Sequence, residues 1–74
     1  MQITMRAARV NAGYTQGEAS REMGINTDTL SKYEKDNSKI GRDIIVKIQE
    51  LYKLDADHIF FGIESEFIRK LRNG

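Results

Sequence analysis

Apolar residues recur at steps of three and four along almost the whole chain, and glycines supply the breaks. That spacing puts one apolar stripe on a helix, whose period is 3.6 residues. Gly13, Gly24, Gly41 and Gly62 fall between the periodic segments, and no proline occurs anywhere. β-branched residues never alternate over a strand-length run. The pattern therefore predicts an all-α fold. At 74 residues there is material for one domain with a thin core, since a chain this short buries only about 60% of its unfolded surface.

A first helix is expected from Thr4 to Ala12. Thr4 serves as N-cap, Met5, Ala8, Arg9 and Ala12 face inward, and Gly13 ends it. Thr15-Gln16-Gly17-Glu18 reads as a capping box, in which Thr15 accepts from the Glu18 amide and Glu18 reaches back to the Thr15 amide. The second helix runs from there past Ala19 and Met23 and stops at Gly24. Asn26 is the next cap, with Asp28 in the first turn, where a carboxylate suits the helix dipole. Leu30, Tyr33 and Glu34 share one face of this third helix. Thr27, Asp28, Ser31, Lys32 and Lys35 share the opposite one.

A short helix, a tight glycine turn and a second short helix make a helix-turn-helix. The third helix is central in the chain yet polar along its outer face. A helix used only for packing needs no such row of donors and hydroxyls, although solvation alone also accounts for one.

Asp36-Asn37-Ser38-Lys39 forms a polar loop. A fourth helix follows from about Arg42 to Lys53, striped by Ile44, Ile45, Ile48, Leu51 and Tyr52, with Leu54 closing onto the core. Asp55 caps a short fifth helix, from Ala56 to Phe60 or Phe61, ending at Gly62. Residues 64–72 read as a further helix with Ile63, Phe67, Ile68 and Leu71 on one side. The expected organisation is a domain over 1–62 and a helical extension over 63–74. The expected core is Met5, Ala8, Ala12, Met23, Ile25, Leu30, Tyr33, Ile44, Ile45, Ile48, Leu51 and Leu54.

Composition removes other function classes. Without cysteine there is no thiolate zinc site, and His58 alone builds no metal centre. No paired carboxylates, nucleotide loop or nucleophile arrangement gives catalysis a foothold, so neither enzyme activity nor a cofactor is expected. No apolar run approaches the roughly 20 residues of a membrane span. Met1-Gln2-Ile3-Thr4 does not start like a signal peptide. A cytoplasmic protein with no membrane partner is the expectation. The net charge is only +1, so charge alone does not announce a nucleic-acid partner.

The spacing resembles a known family. Arg9-x-x-x-Gly13-Tyr14-Thr15-Gln16, then Met23-Gly24-Ile25-Asn26, then Thr29-Leu30-Ser31-Lys32-Tyr33-Glu34 follow in order. After them come Ile44, Ile45 and Ile48, and the ending Leu54-Asp55-Ala56-Asp57-His58-Ile59-Phe60-Phe61-Gly62. This is similar to the lambda-repressor-like, Cro- and Xre-type helix-turn-helix domains, over roughly Met5 to Gly62. The resemblance implies a bundle of five short helices whose third enters the DNA major groove, plus the short C-terminal helix. The departures are Ala19, where the family has a large apolar residue, Ser20 for alanine, Asp36 for glycine and Ile40 for proline.

The resemblance also implies roles. Gln16 would hold a phosphate beside the helix-terminal amides. Thr27, Asp28, Ser31 and Lys32 are the candidate base readers, with Lys32 suited to guanine. Asp28 either accepts from cytosine N4 or serves the helix dipole off the DNA. Asn26, Lys35, Asn37, Lys39 and Arg42 are the candidate backbone contacts. Arg9 and Glu34 would form a structural ion pair between the first and third helices.

The expected partner is double-stranded DNA, as a palindromic operator read by a homodimer, for a phage- or mobile-element-type repressor. An antitoxin of the same fold, or an interaction module that has lost DNA binding, stays open, and with it a protein partner. The phenylalanine-rich tail either supplies the dimer contact or folds back on its own core.

Overall fold

Each long helix of the body starts where the sequence turns the chain into it. The computed structural model describes residues 1–73. Helix α1 (Met5–Asn11) follows Thr4, whose hydroxyl accepts from the Ala7 amide at 3.0 Å. Helix α2 (Gln16–Met23) opens on a complete capping box: Thr15 Oγ1 accepts from Glu18 N at 3.1 Å, and Glu18 Oε1 accepts from Thr15 N at 2.9 Å. The Thr15 amide that donates to this carboxyl, with the Thr15 hydroxyl second, holds it below its ordinary range. Helix α3 (Thr27–Lys35) is capped by Asn26, which accepts from Thr29 N at 2.7 Å. Helix α4 (Arg42–Tyr52) follows Gly41 with no side-chain cap, and α5 (Glu64–Asn73) ends the described chain.

The turn between α2 and α3 is closed by backbone bonds. Gly24 N donates to Arg21 O and Ile25 N donates to Ser20 O, with Gly24 at φ 71°. This paired pattern satisfies the last carbonyls of α2 and requires a left-handed residue at the turn, which glycine adopts without steric cost. Lys47 reaches across from α4 and donates to Met23 O at 3.0 Å, adding a cation at the same helix end.

Helices α2 and α3 pack on each other, α2 also packs on α4, and α1 packs on α3 and α4. Their shared core is Met5, Ala8, Ala19, Met23, Leu30, Ile44, Ile48, Tyr52 and Ile59. Ile25, Tyr33, Leu51 and Leu54 pack against it half-buried, and Ile45 is also half-buried. Ala12 does not join them. It is the exposed C-cap residue of α1, because that helix stops one residue before the inward position recurs.

The expected fifth helix is shorter than its pattern. Only Ala56–His58 form a 3-10 turn, and Ile59 is already extended. The cause is a distant partner: Ile3 N donates to His58 O and Phe60 N donates to Ile3 O, both at 2.9 Å. These bonds pair Ile3 with Ile59 as a one-residue parallel bridge and bury Ile59 completely. A second one-residue bridge joins Asp36 to Ile63. Helix α5 returns to the body through an Arg6–Glu64 ion pair at 2.8 Å and through Phe67, whose ring centroid lies 4.6 Å from that of Phe60. Among the described residues no helix is long and apolar enough to cross a membrane.

Tyr52 gives a stability test. Its hydroxyl is buried without a hydrogen-bond partner, and such a group costs about 1–3 kcal/mol. Burial, with the negative charge of Glu34 second, pushes its pKa from 10.0 up to about 12. An unfolded chain therefore ionises this tyrosine before the folded protein does. The folded state loses stability as pH rises from the ordinary value toward the raised one. Tyr52→Phe is expected to melt higher at neutral pH and to lose less stability over that alkaline range. Thermal melts of both proteins across the range check it.

Candidate nucleic-acid interface

Helix α3 separates its two sides cleanly. Leu30 and Glu34 are buried and Tyr33 is half-buried, while Thr27, Asp28, Lys32 and Lys35 are exposed and Ser31 is half-buried. At 100° per residue, Thr27, Asp28, Ser31, Lys32 and Lys35 fall within an arc of about 140°. The expected base-reading positions are thus one contiguous strip. Asn26 adjoins it as the cap, with its carbonyl oxygen used by Thr29 N.

Behind that strip lies a buried charge network. Glu34 is 2% exposed. Its carboxylate accepts from Arg9 Nε at 2.6 Å and Arg9 Nη2 at 3.4 Å, while Arg9 Nη1 donates to Tyr14 O at 2.8 Å. Gln16, the first residue of α2, completes the set by donating from Nε2 to Glu34 Oε1 at 2.8 Å. A buried carboxylate thus has both its charge and its oxygens satisfied. Gln16 is half-buried, so its amide spans from this network to the surface at the N-terminus of α2.

The geometry of α2, turn and α3 can now be set beside known proteins. The sequence profile of the family described as helix-turn-helix matches residues 5–59. The chain belongs to the helix-turn-helix family, in its lambda-repressor-like, Xre-type branch. The HTH-type transcriptional regulator ImmR of Bacillus subtilis (strain 168) is 36% identical over 55 residues, which cover 74% of this chain and 43% of ImmR. The chain therefore matches less than half the length of that relative.

Within this helix-turn-helix, the expected backbone contacts divide. Lys35, Lys39 and Arg42 are exposed. The ion pairs among the described residues are Arg6–Glu64 and Arg9–Glu34, so these three cations and Lys32 have no carboxylate partner there. Asp36 is held by its own loop: Oδ1 accepts from Ser38 Oγ at 2.7 Å and Ser38 N at 3.0 Å. Those bonds lower its pKa. With Glu34 neutralised inside, the exposed surface from Lys32 to Arg42 is more basic than the whole-chain charge of +1 suggests.

Asn37 is a correction. It is 3% exposed, and its side chain is taken up by the chain's own backbone. Its Oδ1 accepts from Gly62 N at 2.8 Å, its Nδ2 donates to Phe60 O at 3.5 Å, and its backbone N donates to Gly62 O at 3.2 Å. Asn37 clamps the loop after α3 to the segment leading into α5. The sequence hides this because an asparagine in a polar loop looks the same whether it faces water or a distant backbone.

Ser20 has no role in the sequence beyond its departure from the family's usual alanine. It is buried, and its Oγ lies 3.3 Å from Thr27 Oγ1, across the helix-turn-helix. Its departure from the family's usual alanine was the available signal.

Proposed function

We propose that this chain is a sequence-specific DNA-binding transcriptional regulator, a repressor of phage or mobile-element type working in the cytoplasm. Helix α3 enters the major groove, where Thr27, Asp28, Ser31 and Lys32 meet base edges. Gln16 and the N-terminal amides of α2 hold a phosphate, and Asn26, Lys35, Lys39 and Arg42 flank it along the backbone. The observation that carries this reading is the burial of Glu34 against Arg9, which leaves the outer face of α3 and the following loop with unpartnered cations.

A binding selection from random duplex DNA tests it. The wild type is expected to enrich a palindrome, and Lys32→Ala to relax one position in each half-site by about tenfold to a hundredfold. Three backbone cations per copy give a salt dependence with a log–log slope of about −5 for two copies. No enriched sequence at moderate salt overturns the reading.

Two copies are required because one recognition helix covers few base pairs, and half-sites lie about 34–36 Å apart. Residues 63–74 extend the 1–62 domain and supply the contact. Val10 of α1 and Ile68 and Leu71 of α5 line an open apolar trough, and they are 59%, 43% and 57% exposed. Helix α5 has Glu64 and Glu66 in its first turn and Lys70 and Arg72 in its last. Two such helices laid antiparallel place acid opposite base at both ends, so the occupant of the trough is α5 of a second copy.

Sedimentation without DNA is expected to show a dimer that Leu71→Asp weakens at least tenfold. Glu66→Lys and Lys70→Glu each weaken it alone, yet associate when mixed. Both carry a like-charged pair within the helix, so recovery on mixing reports the contact between copies. A wild type that stays monomeric sinks the dimer without touching the DNA reading.

A further inference from the structure

We infer that Ser20 sets which bases Thr27 reads, by fixing the direction of its hydroxyl hydrogen. Ser20 Oγ donates to Gly17 O at 3.1 Å. A serine hydroxyl has one hydrogen and two lone pairs, so that hydrogen is committed to the backbone of α2. With that hydrogen on Gly17 O, the contact of 3.3 Å between Ser20 Oγ and Thr27 Oγ1 takes its hydrogen from Thr27. Ser20 is 3% exposed, so water does not compete for its lone pair.

Thr27, the first residue of α3 and exposed, thereby has only lone pairs left on its hydroxyl. An acceptor in the major groove pairs with the amino groups of adenine N6 or cytosine N4. It is unpaired against guanine O6 or thymine O4, which also accept. Threonine alone, with a free hydroxyl, gives or accepts and discriminates poorly. The pair Ser20–Thr27 makes it an amino-base reader. Ser20 is a positioning residue, acting through Thr27 without touching DNA.

This inference rests on Thr27 facing a base edge, and the experiment separates the two. Random-duplex selections are run on the full chain as wild type, Thr27→Val and Ser20→Ala. Thr27→Val locates the position that Thr27 reads by relaxing it. At that position the wild type is expected to prefer adenine or cytosine by about tenfold. Ser20→Ala is expected to admit guanine and thymine there while leaving every other position unchanged, which a general loss of packing does not do.

In the DNA-free protein, NMR couplings are expected to show the Thr27 side chain in one rotamer for the wild type and averaged in Ser20→Ala. If Thr27→Val relaxes no position, Thr27 reads no base and both ideas fall. If it relaxes a position where Ser20→Ala keeps the preference, or where the wild type prefers guanine or thymine, the Ser20 role alone is overturned.

Discussion

Glu34→Ala is expected to leave the domain largely unfolded at physiological temperature. The substitution removes the carboxylate that pairs with Arg9, whose side chain is nearly as buried as Glu34 itself. Stranding one charge of a buried pair costs about 3–5 kcal/mol. It also frees Gln16 Nε2, which donates to the same carboxylate. A domain this small has only about 5 kcal/mol or a little more to lose, and each kilocalorie moves its melting temperature by about 4–8 °C. DNA binding falls with the folded fraction, so an osmolyte that restores the helical circular-dichroism signal is expected to restore binding. An alanine variant that melts with the wild type while losing DNA would make Glu34 a contact residue and overturn this account.

Asn37→Ala is expected to cost about 2–4 kcal/mol, since it removes the bonds to Gly62 N and Phe60 O and empties a buried polar site. The damage has a direction. Asn37 joins the loop after α3 to Gly62, immediately before Ile63 and α5, so amide exchange is expected to rise first at Gly62 and along α5. A direct phosphate contact by Asn37 would give the reverse: weaker binding at unchanged stability. Calorimetry and exchange on the DNA-free variant distinguish these results.

These two residues mark what local sequence conveys and what it does not. Thr4, the Thr15–Glu18 box, Gly24 and Asn26 act within a few residues of themselves, so their geometry was legible in advance. The Arg9–Glu34 pair spans 25 positions and was reachable only through family resemblance, as was the phosphate role proposed for Gln16. Asn37 bonds to Gly62, 25 positions away, and nothing beside it announces that partner. Ile59 escaped the expected core for the same reason: its burial depends on Ile3, whereas its own neighbours read as one more helical turn. Ala12 failed in the other direction, since periodicity continued past the point where the helix stops. Within the candidate interface, the α3 strip was legible from its period. The inward bond of Gln16 and the reach of Ser20 depend on how α2 docks against α3, which periodicity does not specify.

The Ile3–Ile59 bridge also says how the domain comes apart. Helices α2 and α3 are near neighbours in sequence and meet at little loop-closure cost. The bridge instead closes a ring of more than fifty residues, and ring closure grows costlier with length, if slowly. It is held by two backbone hydrogen bonds, from Ile3 N and from Phe60 N, and by Gln2 Nε2, which donates to Asp57 O at 3.3 Å and to Ile59 O at 3.4 Å. The amides of Ile3 and Phe60 are expected to exchange faster than those of the helical body, which hydrogen exchange checks. A partly unzipped form, in which residues 1–4 leave the edge of Ile59, is therefore expected below the free energy of global unfolding. In that form a protease is expected to gain its first hold, and an unpaired backbone edge to be briefly offered to another chain.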